Sequence, residues 1–156
     1  MLGLRREDPF GTVAARVVAV RAEELLEHSE GALDIGDIER LHDMRVASRR
    51  LRAAMEVFEP CFPRKRFRAA LREVKAIADA LGERRDRDVS IVALQTFGEA
   101  LDAEGRRGVE AMVEKLREEQ ILANDRLAPF VDRRRLLDLS DRIEKLVEAA
   151  DRRAVA

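Results

Sequence analysis

Residues 41–55 read LHDMRVASRRLRAAM, and two patterns overlap in this stretch. Apolar side chains recur at alternating spacings of three and four residues, as on the buried face of a bundle helix. They are Leu41, Met44, Ala47, Leu51, Met55 and, just beyond the stretch, Phe58. Basic side chains lie on the other side of the same helix. The stretch therefore predicts a helix over about residues 38–59, with one face in a core and a second face that is strongly cationic.

The remaining sequence predicts more helices joined by short connections. The 156 residues are 46% hydrophobic and 39% charged, with one cysteine, four prolines and no Trp or Tyr, which favours helix almost throughout. Further helices are predicted from Pro9 to near Gly31, from Pro63 to Gly82, from Asp86 or Asp88 to Leu101, from Gly105–Gly108 to before Pro129, and over about 131–154. Short connections favour antiparallel neighbours, so we predict an all-α, up-and-down bundle of long helices, with residues 1–156 as a single domain.

Three details of these helices are also predicted. Gly82 is expected to provide a C-terminal cap or a kink. Asp37 or Asp34 is expected to cap the second helix. Beyond Gly82, the apolar residues expected to face inward are Val89, Val92 or Ala93, Phe97 and Leu101.

Charge is strongly segregated along the chain. Residues 40–75 carry 11 basic and four acidic side chains, a net charge of +7, although the whole chain has a net charge of only −1. Of the 30 basic residues, 26 are arginine. A local excess of this size predicts an anionic partner more credibly than the charge of the whole chain does.

The basic residues of the second helix form a row. At roughly 100° per residue, Arg45, Arg49 and Arg52 fall within about 60° of one another, with His42 beside Arg49. Arg50 lies on the other flank of the helix. Guanidinium groups at this spacing suit phosphate oxygens, which they bind in a bidentate manner.

The next helix repeats the arrangement with Arg68, Arg72 and Lys75. If the two helices pack as an antiparallel pair, their cations align along one groove. A structural alternative stays open: the arginines could cover apolar surface or pair with the acidic first helix, which carries Glu23, Glu24, Glu27 and Glu30.

The same residues resemble a known family. Residues 42–55 look like the signature of CHAD domains, the "conserved histidine α-helical domain", and residues 81–89, LGERRDRDV, are similar to the family's Leu-Gly-x-x-Arg-Asp-x-Asp-Val. The resemblance covers about residues 10–101. It implies a helical bundle that binds inorganic polyphosphate without catalysis, that often adjoins or is fused to a triphosphate tunnel enzyme, and that in some members associates with polyphosphate granules.

The resemblance also implies which residues bind. In the first block these are His42, Arg45, Arg49, Arg50 and Arg52; Arg68, Arg72 and Lys75 extend the groove, and Arg85 with Asp86 matches the second block. Asp86 and Asp88 are expected to cap a helix or to orient arginines. Family members usually contain two related helical halves, whereas this chain has the length of about one. Either one half is missing or two copies assemble as a homodimer to complete the groove.

Other functions remain as alternatives. A metal-dependent enzyme acting on phosphoanhydrides would find few suitable catalytic residues here, since the chain has two histidines, one cysteine and no glycine-rich phosphate loop. A metal-binding domain lacks a clear ligand cluster, because His28 and Cys61 are isolated. A nucleic-acid binder would lack Trp and Tyr for stacking, and a protein-interaction scaffold would fill the basic face with a partner's acids. We therefore expect a cytoplasmic, non-catalytic protein without cofactor, metal, membrane span or specific nucleic-acid partner.

Overall fold

The computed structural model describes residues 3–155, which form five α-helices and no β-strand. The helices are α1 (Phe10–Glu27), α2 (Ile38–Val57), α3 (Arg64–Glu99), α4 (Ala103–Leu127) and α5 (Arg133–Val155). Short 3-10 turns at Glu59–Cys61 and Ala128–Phe130 follow α2 and α4. Residues 1, 2 and 156, the outermost residues of the predicted domain, lie outside the described part. The all-α helical prediction is confirmed.

α1 runs antiparallel to α2 and to α5, as contacts between their ends establish. The Phe10 and Phe58 rings, at the start of α1 and the end of α2, lie 5.3 Å apart between centroids. Thr12 near the start of α1 donates a hydrogen bond to Asp151 near the end of α5. The main core fills the space between α1, α2, the first half of α3 and α5, and all the predicted core residues of α2 are buried in it except Phe58, which is half-buried.

The turn that precedes α2 differs from the prediction. Asp37 stands at the N-cap position but makes no hydrogen bond to the helix backbone; its carboxylate accepts from Arg40 Nε at 3.1 Å. Asp34 instead accepts from the backbone N–H of Gly36 at 2.8 Å and closes the turn itself. Asp37 therefore occupies the predicted N-cap position, but within the described residues neither carboxylate makes the capping hydrogen bond to the backbone of α2.

α3 is one continuous helix of 36 residues, so the predicted break at Gly82 was wrong. Gly82 lies within the helix, and Asp86 and Asp88 are interior residues rather than caps. The buried face that includes Ile77 and Leu81 continues at positions 84, 88 and 91, with spacings of three and four. Two positions of this continuing face, 84 and 88, carry charged residues.

The inward-facing residues of the second half of α3 also differ from the prediction. Val89, Val92, Ala93 and Phe97 are exposed, and the buried residues beyond Asp88 are Ile91 and Gly98. The prediction assumed that a new helix begins after Gly82, with its own inward-facing positions. Because α3 is unbroken, its inward-facing positions instead continue the spacing that includes Leu81. Ile91 packs with Val109 and Val113 of α4 in a second, smaller apolar cluster, against which the predicted Leu101 also packs.

An ionic contact fastens α5 to α3. Glu73 of α3 accepts hydrogen bonds from Arg135 Nε, at 3.1 Å, and from Arg142 Nη2. Burial alone would raise the pKa of Glu73, but the hydrogen bonds from Arg142 and Arg135 outweigh it and hold the pKa below its ordinary value of 4.5. The carboxylate is therefore ionised at neutral pH and binds two successive turns of α5.

We expect Glu73→Gln to lower the free energy of unfolding by about 1–2 kcal/mol at pH 7, because the ion pairs of Arg135 and Arg142 with the carboxylate are both lost. Since the pKa of Glu73 is lower in the folded than in the unfolded protein, its contribution is complete above about pH 5 and is lost as the pH falls through the folded pKa. Urea unfolding of both proteins at pH 7 and near pH 3 measures this. A difference in stability that stays constant with pH would contradict the assignment.

Gly82 provides a second test of the continuous α3. Its φ is not positive, and the nearest atom to a Cβ built there, outside the local helix backbone, would be Arg45 Nε at 3.9 Å, an ordinary contact distance. We expect Gly82→Ala to raise the free energy of unfolding by about 0.5–1 kcal/mol, because alanine loses less backbone entropy in a helix.

Gly98→Ala is the matched control for urea unfolding. A Cβ on Gly98 would lie 3.1 Å from Val109 Cγ1, so this substitution crowds α4 and is expected to gain less stability or to lose some. A loss of stability in Gly82→Ala would contradict a regular helix at that position.

Candidate functional site

The predicted basic residues of α2 divide into exposed and half-buried ones. Arg49 and Arg50 are exposed, whereas His42, Arg45 and Arg52 are half-buried. The core residues of the same helix, such as Leu41 and Leu51, are fully buried on its other side. The helix thus presents the two faces that its sequence predicted, with the cationic row close to the edge of the core.

α3 carries the second cationic row, which is offset along the helix pair toward the α2–α3 connection. Arg68 and Arg72 are exposed and Lys75 is half-buried. The two helices meet in antiparallel orientation: Glu56 near the end of α2 contacts Lys75, and the backbone at the start of α2 accepts from Arg85. We call the surface between them the basic groove, formed by His42, Arg45, Arg49, Arg52, Arg68, Arg72 and Lys75.

Arg45 lies opposite Gly82 of α3, two helical turns beyond Lys75, the last cation of the second row. Its Nε lies 3.9 Å from the position that a Cβ on Gly82 would take, so its guanidinium group reaches across to the surface of α3. Gly82, predicted to end a helix, instead leaves room for a basic side chain of the neighbouring helix. This contact connects the two sequence blocks, residues 42–55 and 81–89, in space.

Most of the groove cations have no acidic partner. Among residues 3–155, Arg45, Arg49, Arg68 and Arg72 make no ion pair and no side-chain hydrogen bond. Arg52 and Lys75 share one acid, Glu56. The acidic first helix does not neutralise the groove; its Glu24 instead pairs with Arg21 on the same helix. Within the described part of the chain, the groove therefore keeps four unpaired guanidinium groups.

Two acidic residues on α3 limit the extent of the cationic surface. Asp79 follows Lys75 by one helical turn, so it lies on the same side of α3, and it is exposed. Asp86, which was expected to cap a helix or to orient an arginine, is also exposed and makes no ion pair among the described residues. The strongest concentration of positive charge thus lies along α2 and the first three turns of α3.

Three predicted residues stand apart from the unpaired cations. Arg50 is exposed but lies on the flank of α2 away from the groove, as its helical phase predicted. Arg85 is only 16% exposed; it donates to the carbonyl oxygen of Ile38 at 3.2 Å and lies 3.7 Å from Glu39 Oε1. The Nδ1 atom of His42 is buried and has no hydrogen-bond partner among the described residues. Arg85 thus anchors the start of α2 to α3.

A buried polar network in the second motif was missed by sequence reasoning. Arg84 and Asp88 are 0% and 1% exposed, and Arg84 Nε donates to Asp88 Oδ1 at 2.9 Å. Gln120 of α4 donates to the same oxygen at 2.6 Å, and Asn124 accepts from Arg84 Nη1 at 2.5 Å. Asn124 in turn donates to the carbonyl oxygen of Leu33. The network joins α3, α4 and the α1–α2 connection.

The signal for this network was present in the sequence. Positions 84 and 88 continue the spacing of the buried face that contains Leu81, which should have marked them as buried. Asp88 was predicted either to cap a helix or to orient an arginine. It does the second, and the arginine that it orients is the buried Arg84. Arg84 is therefore a structural residue, inaccessible to any ligand in the groove.

We expect Arg84→Ala to lower the free energy of unfolding by about 3–5 kcal/mol, because it leaves Asp88 buried without its counter-charge. Arg84 Nη2 and Asp88 Oδ2 have no hydrogen-bond partner within residues 3–155, so the pair is incompletely satisfied. Replacing both residues, as Arg84→Met with Asp88→Leu, should therefore recover most of the lost stability. Urea unfolding compares the three proteins, and a double variant less stable than Arg84→Ala would contradict this account.

Within residues 3–155 no three His, Cys, Asp or Glu side chains gather in a way that could hold a metal ion. None of the described helices has the length and apolar character required to cross a bilayer.

Comparison with known proteins places the chain in a family. The family model described as "CHAD domain" matches residues 16–156, which include both motif blocks and every cation of the basic groove. No curated protein gives a significant match. The family match extends through α4 and α5, beyond the residues on which the sequence resemblance rested, and the chain belongs to the CHAD domain family.

Proposed function

We propose that this protein binds inorganic polyphosphate through the basic groove and does not catalyse its conversion. The observation that carries the proposal is the pair of cationic rows on α2 and α3, in which Arg45, Arg49, Arg68 and Arg72 have no acidic partner among the described residues. Membership of a family associated with polyphosphate supports the same ligand.

The spacing of the cations suits a linear polyanion. Along α2, Arg45 and Arg49 are separated by four residues and Arg49 and Arg52 by three, so their Cα atoms rise by about 6 Å and 4.5 Å along the axis. Each guanidinium can form a bidentate contact with phosphate oxygens, and the unpaired ones need not first break an ion pair. A chain of phosphates could therefore contact successive turns of both helices at once.

The chemistry of the groove favours binding over catalysis. Its cations are arginines and one lysine, which donate hydrogen bonds and neutralise charge, and the carboxylate among them, Glu56, is held by Lys75 and Arg52. Binding of this kind depends on charge and spacing, so it should weaken steeply with salt. The cytoplasmic or granule location, the homodimer and a triphosphate tunnel enzyme as neighbour stay predictions that the resemblance supplies.

Exchanging Arg45 and Arg49 together for Glu should weaken polyphosphate binding at least tenfold at about 0.1 M salt, because two unpaired cations become anions. The measurement is a titration of long-chain polyphosphate at about 50 and 200 mM salt, and binding by the unaltered protein should fall with salt. The matched control is Arg133→Glu with Arg134→Glu, which makes the same charge change at exposed residues of α5.

Equal losses in the two double variants would contradict a binding site at the groove. Competition by duplex DNA at equal phosphate concentration distinguishes polyphosphate from nucleic acid, and polyphosphate should bind more tightly. Release of orthophosphate when the protein is incubated with polyphosphate and Mg²⁺ would contradict the non-catalytic assignment.

A further inference from the structure

Glu56 stands out as an acid within an otherwise cationic part of the basic groove. A single oxygen, Oε1, lies 3.0 Å from Lys75 Nζ and 3.2 Å from Arg52 Nε. It therefore contacts one cation from each row. The hydrogen bond from Lys75 is the largest cause that holds the pKa of Glu56 below its ordinary value, so the group is charged at neutral pH.

The three side chains are accessible and only loosely held. Glu56 is 42% exposed, and Arg52 and Lys75 are each 39% exposed. Exposed ion pairs of this kind contribute little to stability, so a multivalent phosphate could displace the carboxylate from both cations. The carboxylate occupies the same donors that a phosphate oxygen would use.

We propose that Glu56 is an intramolecular competitor, which occupies Arg52 and Lys75 in the free protein and lowers the affinity of the groove for polyanions. This inference rests on the proposed function, because it assigns the control of affinity at the same groove. An incoming phosphate chain exchanges with the Glu56 carboxylate at this end, whereas it binds the unpaired Arg45 and Arg49 without any exchange.

The competitor has two measurable consequences. Removing the charge of Glu56 frees two donors for phosphate, so affinity should rise. The unaltered protein presents a net charge of about +1 at these three side chains and the variant presents about +2, so the variant should displace roughly one more counterion on binding. The plot of log affinity against log salt should therefore become steeper by slightly less than one unit.

The test compares polyphosphate titrations of the unaltered protein, Glu56→Gln and Glu59→Gln across several salt concentrations. Glu59 is the matched control: it is an exposed glutamate three residues further along and makes no ion pair among the described residues. We expect Glu56→Gln to bind roughly three- to tenfold more tightly at about 0.1 M salt, with the steeper slope, and Glu59→Gln to change the affinity less than twofold.

Each outcome separates the inference from the proposed function. Salt-sensitive binding that Glu56→Gln leaves unchanged, or weakens, would overturn the competitor and leave polyphosphate binding intact. Equal gains in both variants would also overturn it, because they would show an effect of net charge alone. Absence of binding by the unaltered protein and by Glu56→Gln would overturn the proposed function together with the inference.

Discussion

The structure depends on α3 remaining one helix from Arg64 to Glu99, a length of about 54 Å. Its buried face continues through Arg84 and Asp88, which pair with each other and with Gln120 and Asn124 of α4. The ionic pair allows the same helix face to leave the main core and to continue into the smaller apolar cluster with α4. Without that continuity, α2, α4 and α5 would not all pack against the same helix.

Arginine serves two separate purposes in this protein, and burial distinguishes them. Arg84 is fully buried and Arg85 nearly so, and both hold helices together. Arg49 and Arg72 are exposed and unpaired among the described residues, which leaves them available to an anion. A buried guanidinium must be paired because the loss of its hydration is costly, whereas an exposed one keeps its water until a ligand replaces it.

The position of the acids explains how a chain of nearly zero net charge keeps a cationic groove. Glu73 is held by two arginines of α5, on another side of α3, and Glu24 is held by Arg21 within α1. Among the ion pairs of the described residues, only Glu56 reaches the groove cations. The groove cations thus keep most of their positive charge, because within the described residues Glu56 is the one acid that pairs with them.

The sequence by itself determined the helical class, the buried face of α2 and the two cationic rows, because these depend on periodicity within a single helix. It did not determine which groups satisfy the buried Arg84 and Asp88, or the anchoring role of Arg85. Those depend on which helix packs alongside: α4 supplies Gln120 and Asn124, and α2 supplies the carbonyl oxygen of Ile38. The structural role of a glycine or a charged residue depends on whether a neighbouring helix buries it or leaves it exposed to solvent. Only the tertiary structure decides which of the two occurs.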